Sequence, residues 1–197
     1  MNTEPEAKGI TVFCASSPSI AAEYFAAARA VGHAVAKAGV PLITGAGNMG
    51  LMGAANNAAI EAGGKTIGVI PQFMVERGWH HTGLSQLLVT DSMHSRKSAM
   101  ARMAAGVIAL PGGIGTLEEL CEIITWRQLG LYKGEIVLLN IRGYYDNFDA
   151  MIRHAMSEGF MPCDHRRLFT ITYDPELAVA TALGKDRETD IAFSPKF

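Results

Sequence analysis

The sequence predicts an α/β fold, a Rossmann-like doubly wound parallel sheet with helices on both faces, in a single domain. Short runs rich in Val and Ile alternate with longer segments of helical periodicity, which is typical of consecutive βαβ units. A chain of 197 residues is also long enough to bury a substantial core in one domain. We expect this domain to span residues 9–183, with an N-terminal tail over 1–8 and a polar C-terminal tail over 184–197.

The alternation begins with a strand over 10–14 and a long amphipathic helix that starts after Pro18-Ser19 and ends at Gly39. Further strands are predicted over 40–44, 66–70, 87–90, 107–110, 135–140 and near 169–172. Further helices are predicted over 51–62, from 91 or 92 to about 105, over 116–129 and 145–158, and after Pro175. Between them, residues 72–85 are expected to form an irregular loop that covers a ligand.

Composition and charge indicate which partners and which cellular location to expect for this protein. The net charge of -2 gives no basic footprint for DNA or RNA, so we expect no nucleic acid partner. The first residues lack the basic and apolar regions of a signal peptide, and no apolar run reaches the roughly 18 residues of a membrane span, so we expect a cytoplasmic protein. With 49% hydrophobic residues, the surface leaves apolar area for a subunit partner, which favours a homo-oligomer.

The cysteines and histidines do not indicate a metal site. Cys14, Cys121 and Cys163 are too few and too far apart for a disulfide framework or a CxxC site, so we expect buried free thiols. The pair His80-His81 lacks the spacing that would place two ligands on one face. We therefore expect no metal.

Three loops follow predicted strands and have the composition of ligand-binding turns. They are residues 15–17, 45–50 and 111–116, after the first, second and fifth strands. In an open parallel sheet, ligands bind beyond the carboxyl ends of the strands, where such loops lead into helices.

The second of these loops matches the GxGxxG pattern of dinucleotide-binding proteins. That pattern alone is weak, and the acidic residue that would bind a ribose about 20 residues later is missing from residues 65–70. NAD binding is therefore not favoured. Gly64-Lys65-Thr66 also resembles the end of a P-loop, but Ala59 occupies the position of its first glycine.

The loop at 111–116 is more informative, because it follows an apolar strand and opens a helix. Its glycines allow close approach of an anion, and the free N-H groups of a first helical turn favour negative charge. We assign Gly112, Gly113, Ile114, Gly115 and Thr116 to phosphate binding, with the Thr116 hydroxyl as an additional donor. The alternative is a tight turn required only for packing.

Two charged side chains lie near the starts of neighbouring predicted helices. Glu119 is expected in the first turn after the phosphate loop, where the helix dipole would keep it ionised, although acids are common in first turns. Arg96 and Lys97 lie near the start of the preceding helix, where a basic residue is unfavourable without an anionic partner. Arg96 could orient Glu119 or bind a phosphate, and a solvated helix face is the alternative.

Two linked motifs are similar to those of one family. The first is Met93-His94-Ser95-Arg96-Lys97, and the second is Pro111-Gly112-Gly113-Ile114-Gly115-Thr116-Leu117-Glu118-Glu119. Together they resemble the LOG family, the Lonely Guy cytokinin-activating phosphoribohydrolases. The similarity extends over roughly residues 10–160, including 45–53, 67–71, 125–130 and 138–145.

The resemblance implies a Rossmann-like homodimer that cleaves AMP or N6-substituted AMP, such as isopentenyladenosine monophosphate, into free base and ribose 5-phosphate. It implies Arg96 and Glu119 as the catalytic pair, and no cofactor. Lys97 and Thr125 match positions assigned to substrate binding in the family. From their place in the matching segments, we add the residues Met93, Gly45 and Gly47 to the predicted substrate site.

Two positions depart from the family pattern, and the second of them concerns recognition of the base or ribose. Ser95 stands where many relatives have Glu or Gln before the arginine, and Gly78 stands where they have a substrate-contacting Glu. Neither departure touches the predicted catalytic pair.

Three alternative functions remain for comparison. They are a non-catalytic nucleotide or cofactor carrier of the same fold, a pyridoxal-phosphate-dependent lysine decarboxylase and an NAD-linked oxidoreductase. The presence of both Arg96 and Glu119 favours the enzyme over the carrier. The helix that carries Trp126 and Leu129 is a candidate subunit interface, although Trp126 could equally belong to the core.

Overall fold

The computed structural model describes residues 8–185. Apart from Lys8, Gly184 and Lys185, the two predicted tails lie outside this range. Within it the strands are β1 (Gly9–Phe13), β2 (Leu42–Thr44), β3 (Thr66–Pro71), β4 (Gln86–Thr90), β5 (Ala104–Ala109), β6 (Glu135–Leu139) and β7 (Thr170–Thr172). The α-helices of the same range are α1 (Ala22–Lys37), α2 (Gly50–Glu61), α3 (Gln72–Glu76), α4 (Met93–Met103), α5 (Ile114–Gln128), α6 (Asp146–Ser157) and α7 (Pro175–Ala182). Short 3-10 helices cover Ile141–Gly143 and Cys163–Leu168.

The described strands form one sheet in the order β4-β3-β2-β1-β5-β6-β7, and each neighbouring pair is parallel. The chain builds the sheet outward from β1 to the β4 edge and then returns to place β5 on the other side of β1. This confirms the predicted Rossmann-like fold. Because the order reverses between β1 and β5, the crevice beyond their carboxyl ends is the expected ligand site.

Helices cover both faces of the sheet, each over its own apolar cluster. On one face α1, α2 and α7 bury side chains that include Val31, Leu51 and Val179. On the other face α4 and α5 contribute Met100 and Leu120. Since both faces are covered, the central strands β1, β5 and β6 are largely apolar and buried, as is typical of parallel sheets.

Some predicted boundaries were wrong. The helix expected over 116–129 begins at Ile114, because Gly113 is extended and acts as its N-cap. The helix expected to reach about residue 105 ends at Met103, where Ala104 becomes extended and pairs with Gly9 at the start of β5. Residues 72–85 are not irregular throughout, because they begin with the short helix α3.

Predicted burial was partly wrong as well. Cys14 is a buried free thiol, as expected, but Cys121 and Cys163 are exposed. Trp126 packs partly buried against the core, whereas Leu129 is exposed, so the predicted subunit interface stays a prediction. None of the helices within residues 8–185 has the length and apolar character that crossing a membrane requires.

Two adjacent tyrosines fix the strand end that leads into the phosphate loop. The hydroxyl of Tyr145 donates to the Leu110 carbonyl at 2.7 Å, and that of Tyr144 donates to the Gly112 carbonyl. Tyr145 is fully buried, and its amide donates to the Asn140 side chain at 2.7 Å. The carbonyls of Leu110 and Gly112 are therefore fixed by the two tyrosine hydroxyls.

We expect Tyr145→Phe to lower the free energy of unfolding by about 1–3 kcal/mol, because it leaves the buried Leu110 carbonyl without its donor. Urea unfolding measures this change. Tyr173→Phe is the matched control, because Tyr173 is exposed and should shift stability by less than about 0.5 kcal/mol. Equal stabilities of the two variants would contradict the anchoring role.

Candidate active site

A cavity of about 670 Å³ opens at the carboxyl ends of β1, β2 and β5, at the point where the strand order reverses. It is lined by Cys14, Ala15, Ser16, Ser17, Gly45, Gly47, Asn48, Met49, Met52, Ile70, Met74, Trp79, Met93, Arg96, Gly113, Gly115, Thr116, Glu118 and Glu119. All three loops that the sequence singled out contribute to this lining. The volume suits a ligand of nucleotide size.

The start of α5 presents free amides to this cavity. The first helical hydrogen bond is donated by Leu117 to the Gly113 carbonyl at 3.1 Å, so the amides of Ile114, Gly115 and Thr116 precede it. Gly113 and Thr116 line the cavity, and Thr116 is buried there. Such a turn binds anions through N-H groups and the helix dipole.

The glycines of this loop differ in why they are needed. A side chain on Gly112 would overlap Thr116, so Gly112 serves the packing of the turn. A Cβ on Gly113 or Gly115 would meet no protein atom within 4 Å, and neither residue has a positive φ. Packing therefore does not require these two glycines, and the space that they leave open belongs to the cavity.

Arg96 and Glu119 meet at the bottom of the same cavity. Arg96 Nη1 lies 3.5 Å from Glu119 Oε1, and only 9% and 12% of the two side chains are exposed. Arg96 Nε also donates to the Val69 carbonyl at 3.0 Å, and Nη1 lies 3.8 Å from Met93 Sδ. The predicted anionic partner of Arg96 is thus Glu119, across the gap between α4 and α5.

The surroundings of Glu119 differ from those predicted. Because α5 begins at Ile114, Glu119 lies in its second turn and not in the first. Burial raises the pKa of the Glu119 carboxyl above its usual range, and the adjacent Arg96 guanidinium offsets only part of that rise. A carboxylate with a raised pKa is a stronger base, which suits proton transfer near neutral pH.

The glycine-rich loop after β2 is shaped around the same arginine. A Cβ on Gly45 would overlap the Arg96 guanidinium, and one on Gly47 would crowd Met52 Sδ at 2.9 Å. Ala46, between them, has a φ of 64°, which is unusual for a residue with a side chain. Its position is fixed by Thr44 Oγ1, which accepts from the Ala46 amide at 3.2 Å. Both glycines therefore make room in the site.

Apolar side chains make up another part of the cavity lining, the apolar wall. They are Met49, Met52, Ile70, Met74, Trp79 and Met93. Thioethers are flexible and polarisable, and they adapt to irregular apolar ligands. The cavity lining thus combines the open first turn of α5, a buried ion pair and an apolar wall.

Cys14 also lines the cavity, but its chemistry is unsuited to nucleophilic attack. Burial raises the pKa of the Cys14 thiol, and the nearby negative charge of Glu119 adds to the rise. The thiolate is the reactive form of cysteine, so this side chain behaves as a small apolar group.

Comparison with known proteins agrees with the motifs. A family model described as "possible lysine decarboxylase" matches residues 52–182. A protein of Rhodococcoides fascians named cytokinin riboside 5'-monophosphate phosphoribohydrolase is 40% identical over 178 residues, which cover 89% of each chain. The chain belongs to the LOG family. Another LOG relative, the cytokinin riboside 5'-monophosphate phosphoribohydrolase LOG of Oryza sativa subsp. japonica, is 43% identical over 81% of this chain and 66% of its own.

A solved structure with a different name shares this fold. The molybdenum cofactor carrier protein of Chlamydomonas reinhardtii superposes with a TM-score of 0.69 over 89% of this chain and 95% of its own, at 23% identity. At this level of identity, the similarity concerns the fold alone.

Two residues assigned from the LOG resemblance do not line the cavity within the described chain. Lys97 binds Glu118, and its Nζ also lies 3.1 Å from Glu122. Thr125 is exposed on α5 and donates to the Cys121 carbonyl at 2.8 Å. Burial opposes the charge of Lys97, but hydrogen bonds to the two carboxylates outweigh it and raise the Lys97 pKa. Their substrate-binding roles stay predictions.

Both departures from the LOG pattern have a structural role. Ser95 forms a capping box with Ser92 at the start of α4, and each side chain bonds the other residue's amide at 3.1 Å. Gly78 follows α3 with a φ of 70°, a conformation that a glutamate adopts only with strain. These positions therefore serve the local backbone in this chain.

Of the apolar wall, the sequence predicted only Met93 as a site residue. Met74 and Trp79 fall in the segment predicted only as a covering loop, and no periodic pattern distinguishes them. Asn48 and Met49 were part of a recognised loop, but their roles could not be separated from those of the glycines. A wall assembled from four separate segments leaves no local signal in sequence.

We expect Lys97→Met to lower the free energy of unfolding by about 1–2 kcal/mol near neutral pH, because Glu118 is half exposed and its pair is partly screened. The folded-state pKa of Lys97 is raised, so the stabilisation is complete below about pH 10.4 and is lost as the pH rises through the folded-state value. Urea unfolding at several pH values tests this. A difference between wild type and variant that persists unchanged in strong alkali would contradict the ion pair as its cause.

Proposed function

We propose that this LOG-family protein hydrolyses the N-glycosidic bond of adenosine 5'-monophosphate or an N6-substituted derivative, giving the free base and ribose 5-phosphate. The observation that carries the proposal is the buried Arg96–Glu119 pair, which shares one cavity with the open first turn of α5. An anion-binding helix start and a basic carboxylate that line one cavity suit a phosphorylated sugar whose reacting carbon lies between them.

The phosphate end explains a preference for monophosphates over nucleosides. The 5'-phosphate would bind the amides of Gly115 and Thr116 and the Thr116 hydroxyl, in the space left by Gly113. Binding there fixes the ribose relative to Glu119, and such positioning accelerates a reaction by removing the entropy cost of encounter. A nucleoside without the phosphate would lack this anchor.

The chemistry is the cleavage of the C1'–N9 bond. The bonding electrons leave with the base, which takes up a proton, while C1' gains the character of an oxocarbenium ion, as in sugar hydrolysis generally. Glu119 would stabilise this cation, accept a proton from the water that adds to C1', and then release it to solvent, from which the departing base takes up its proton. One water is consumed, with its hydroxyl on C1' and its hydrogen on the base. Arg96 would orient the carboxylate and the phosphorylated sugar.

The curated relatives support this reaction class through their names, which describe phosphoribohydrolases acting on cytokinin riboside 5'-monophosphates. The lysine decarboxylase description of the family model has less support. Among the described residues that line the cavity there is no lysine, which a pyridoxal Schiff base would need. A carrier of the same fold would have no need of a carboxylate with a raised pKa beside the ligand.

We expect the wild-type protein to release free base from AMP or isopentenyladenosine monophosphate, and Glu119→Gln to lower kcat by about 100-fold or more. Arg96→Met should also lower kcat strongly, and it should destabilise the fold by about 3–5 kcal/mol because it leaves the Glu119 charge buried alone. Chromatography of the products measures base and ribose 5-phosphate together. Glu158→Gln, at an exposed position outside the cavity lining, is the control for Glu119→Gln.

Release of base by the wild type and the control, but not by Glu119→Gln, supports the assigned carboxylate. Binding of both nucleotides without release by the wild type would overturn the proposed hydrolysis and favour the carrier function. Equal rates for Glu119→Gln and the wild type would move the reaction to another side chain.

The pH dependence of kcat/KM gives a separate test of Glu119. Its ionised form is the active one, so the rate rises with pH through the Glu119 pKa, and burial places that rise above the usual glutamate range near about pH 4.3. The charge of Glu118 contributes to the raised Glu119 pKa, so Glu118→Gln should move the acid limb to lower pH. An acid limb that stays in place would disprove this coupling.

A further inference from the structure

We propose that Trp79 is the surface on which the base of the nucleotide stacks, and that Gly78 and Arg77 are positioning residues for its indole. This inference rests on the proposed function, since it takes the cavity to be the nucleotide site. Trp79 lines the cavity, yet 50% of its surface is exposed. A large aromatic side chain that is half exposed inside a concave site offers a face to a ligand.

The backbone on one side of Trp79 is fixed by the end of α3. The amide of Trp79 donates to the Met74 carbonyl at 3.2 Å, and the amide of Gly78 donates to the Val75 carbonyl at 2.9 Å. This pair of bonds is a Schellman motif, which needs a left-handed residue at the position of Gly78. The φ of 70° at Gly78 meets that need and directs the chain so that Trp79 lines the cavity.

The backbone on the other side is joined to the glycine-rich loop. His80 forms an antiparallel bridge with Gly47, and the His81 amide donates to the Ala46 carbonyl at 2.8 Å. Trp79 therefore lies between two backbone anchors, one on α3 and the other on the loop that surrounds Arg96. The position of Trp79 therefore depends on the loop that surrounds Arg96.

The indole itself is held by Arg77. The guanidinium carbon of Arg77 lies 5.0 Å from the Trp79 ring centroid and 5.6 Å from that of Phe73. Cation–π contacts with both rings restrict the rotation of Trp79. A pre-oriented ring loses little conformational entropy when a base stacks on it, so more of the stacking energy appears as affinity.

The chemistry of the surrounding wall suits a purine and an apolar substituent. Met49 and Met74 lie in the same lining as the indole, and the charged groups Arg96 and Glu119 belong to the reacting end. Stacking recognises the flat face of any base, whereas flexible thioethers adapt to the shape of its substituent. We therefore assign the affinity for the base to Trp79 and leave bond cleavage to the other end.

The first test changes only the backbone preference next to Trp79. A Cβ on Gly78 meets no atom within 4 Å, so Gly78→Ala introduces strain in φ and no clash. Gly159→Ala is a matched control, because Gly159 has a φ of 79°, equally open space and the same pair of amide bonds at the end of α6. Both variants should lose similar stability, but only Gly78→Ala should raise KM, and Gly78→Asn should restore it because Asn tolerates this conformation.

The second test removes the ring. Trp79→Ala should raise KM for AMP by about 5- to 100-fold and change kcat by less than about threefold, which is the range expected for loss of one base-stacking contact. Inhibition by ribose 5-phosphate, which has no base, should be unchanged. Trp79→Phe should retain most of the affinity.

A binding measurement separates this inference from the proposed reaction. The chain has two tryptophans, so Trp126→Phe leaves Trp79 as the reporter, and added Glu119→Gln prevents turnover. AMP should quench the fluorescence of Trp79, and ribose 5-phosphate should not. Quenching of this reporter variant by AMP, together with a wild type that releases no base, would support the stacking surface and overturn only the hydrolysis. Base release with no quenching, and a KM that Trp79→Ala leaves unchanged, would overturn the stacking surface and leave the hydrolysis standing.

Discussion

The guanidinium of Arg96 is buried where three segments meet, and each segment is shaped around it. The end of β3 supplies the Val69 carbonyl, α5 supplies Glu119, and the loop after β2 supplies Gly45, whose missing side chain gives the guanidinium its space. A buried charge without partners costs several kcal/mol, so these contacts must all be present in the folded chain. The need to provide Arg96 with these partners therefore fixes both the local backbone of the site and the placement of its charges.

The burial of Arg96 beside Glu119 also determines the basicity of the Glu119 carboxylate. In water Glu119 would be a weak base, but its burial beside one cation gives it a raised pKa in a fixed orientation. The dipoles around it are already arranged before a ligand enters, so no reorganisation is needed when charge develops. Tyr144 and Tyr145 extend the same principle to the glycine loop, because their hydroxyls fix the carbonyls of Gly112 and Leu110.

Much of the fold and the reacting end of the site could be predicted from sequence because their signals are local. Alternating periodicity gave the order of strands and helices, and the glycine loop gave the anion site. The start of α5 was misplaced because Gly113 caps it through its backbone, without a capping side chain. The environment of Glu119 was misjudged because burial depends on α4 and β3, which lie far away in sequence.

The base end was harder to predict for a related reason. Trp79 and Met74 belong to a segment without periodicity, and their placement depends on a single left-handed glycine and on a bridge to residues more than 30 positions earlier. Ser95 and Gly78 departed from the family pattern, and only the structure shows that both serve local backbone geometry. Sequence comparison identifies such a departure without giving its cause.

The short helix α3 connects β3 to β4, the outermost strand on its side of the sheet. Nothing in the order of the central strands depends on its length or composition. Changes in this helix leave β1 and β5 in place, whereas His80 and His81 are tied to the loop around Arg96 by the bridge to Gly47 and the bond to the Ala46 carbonyl. Under the proposed function, the architecture would therefore let the surface offered to the base change while Arg96 and Glu119 stay in place.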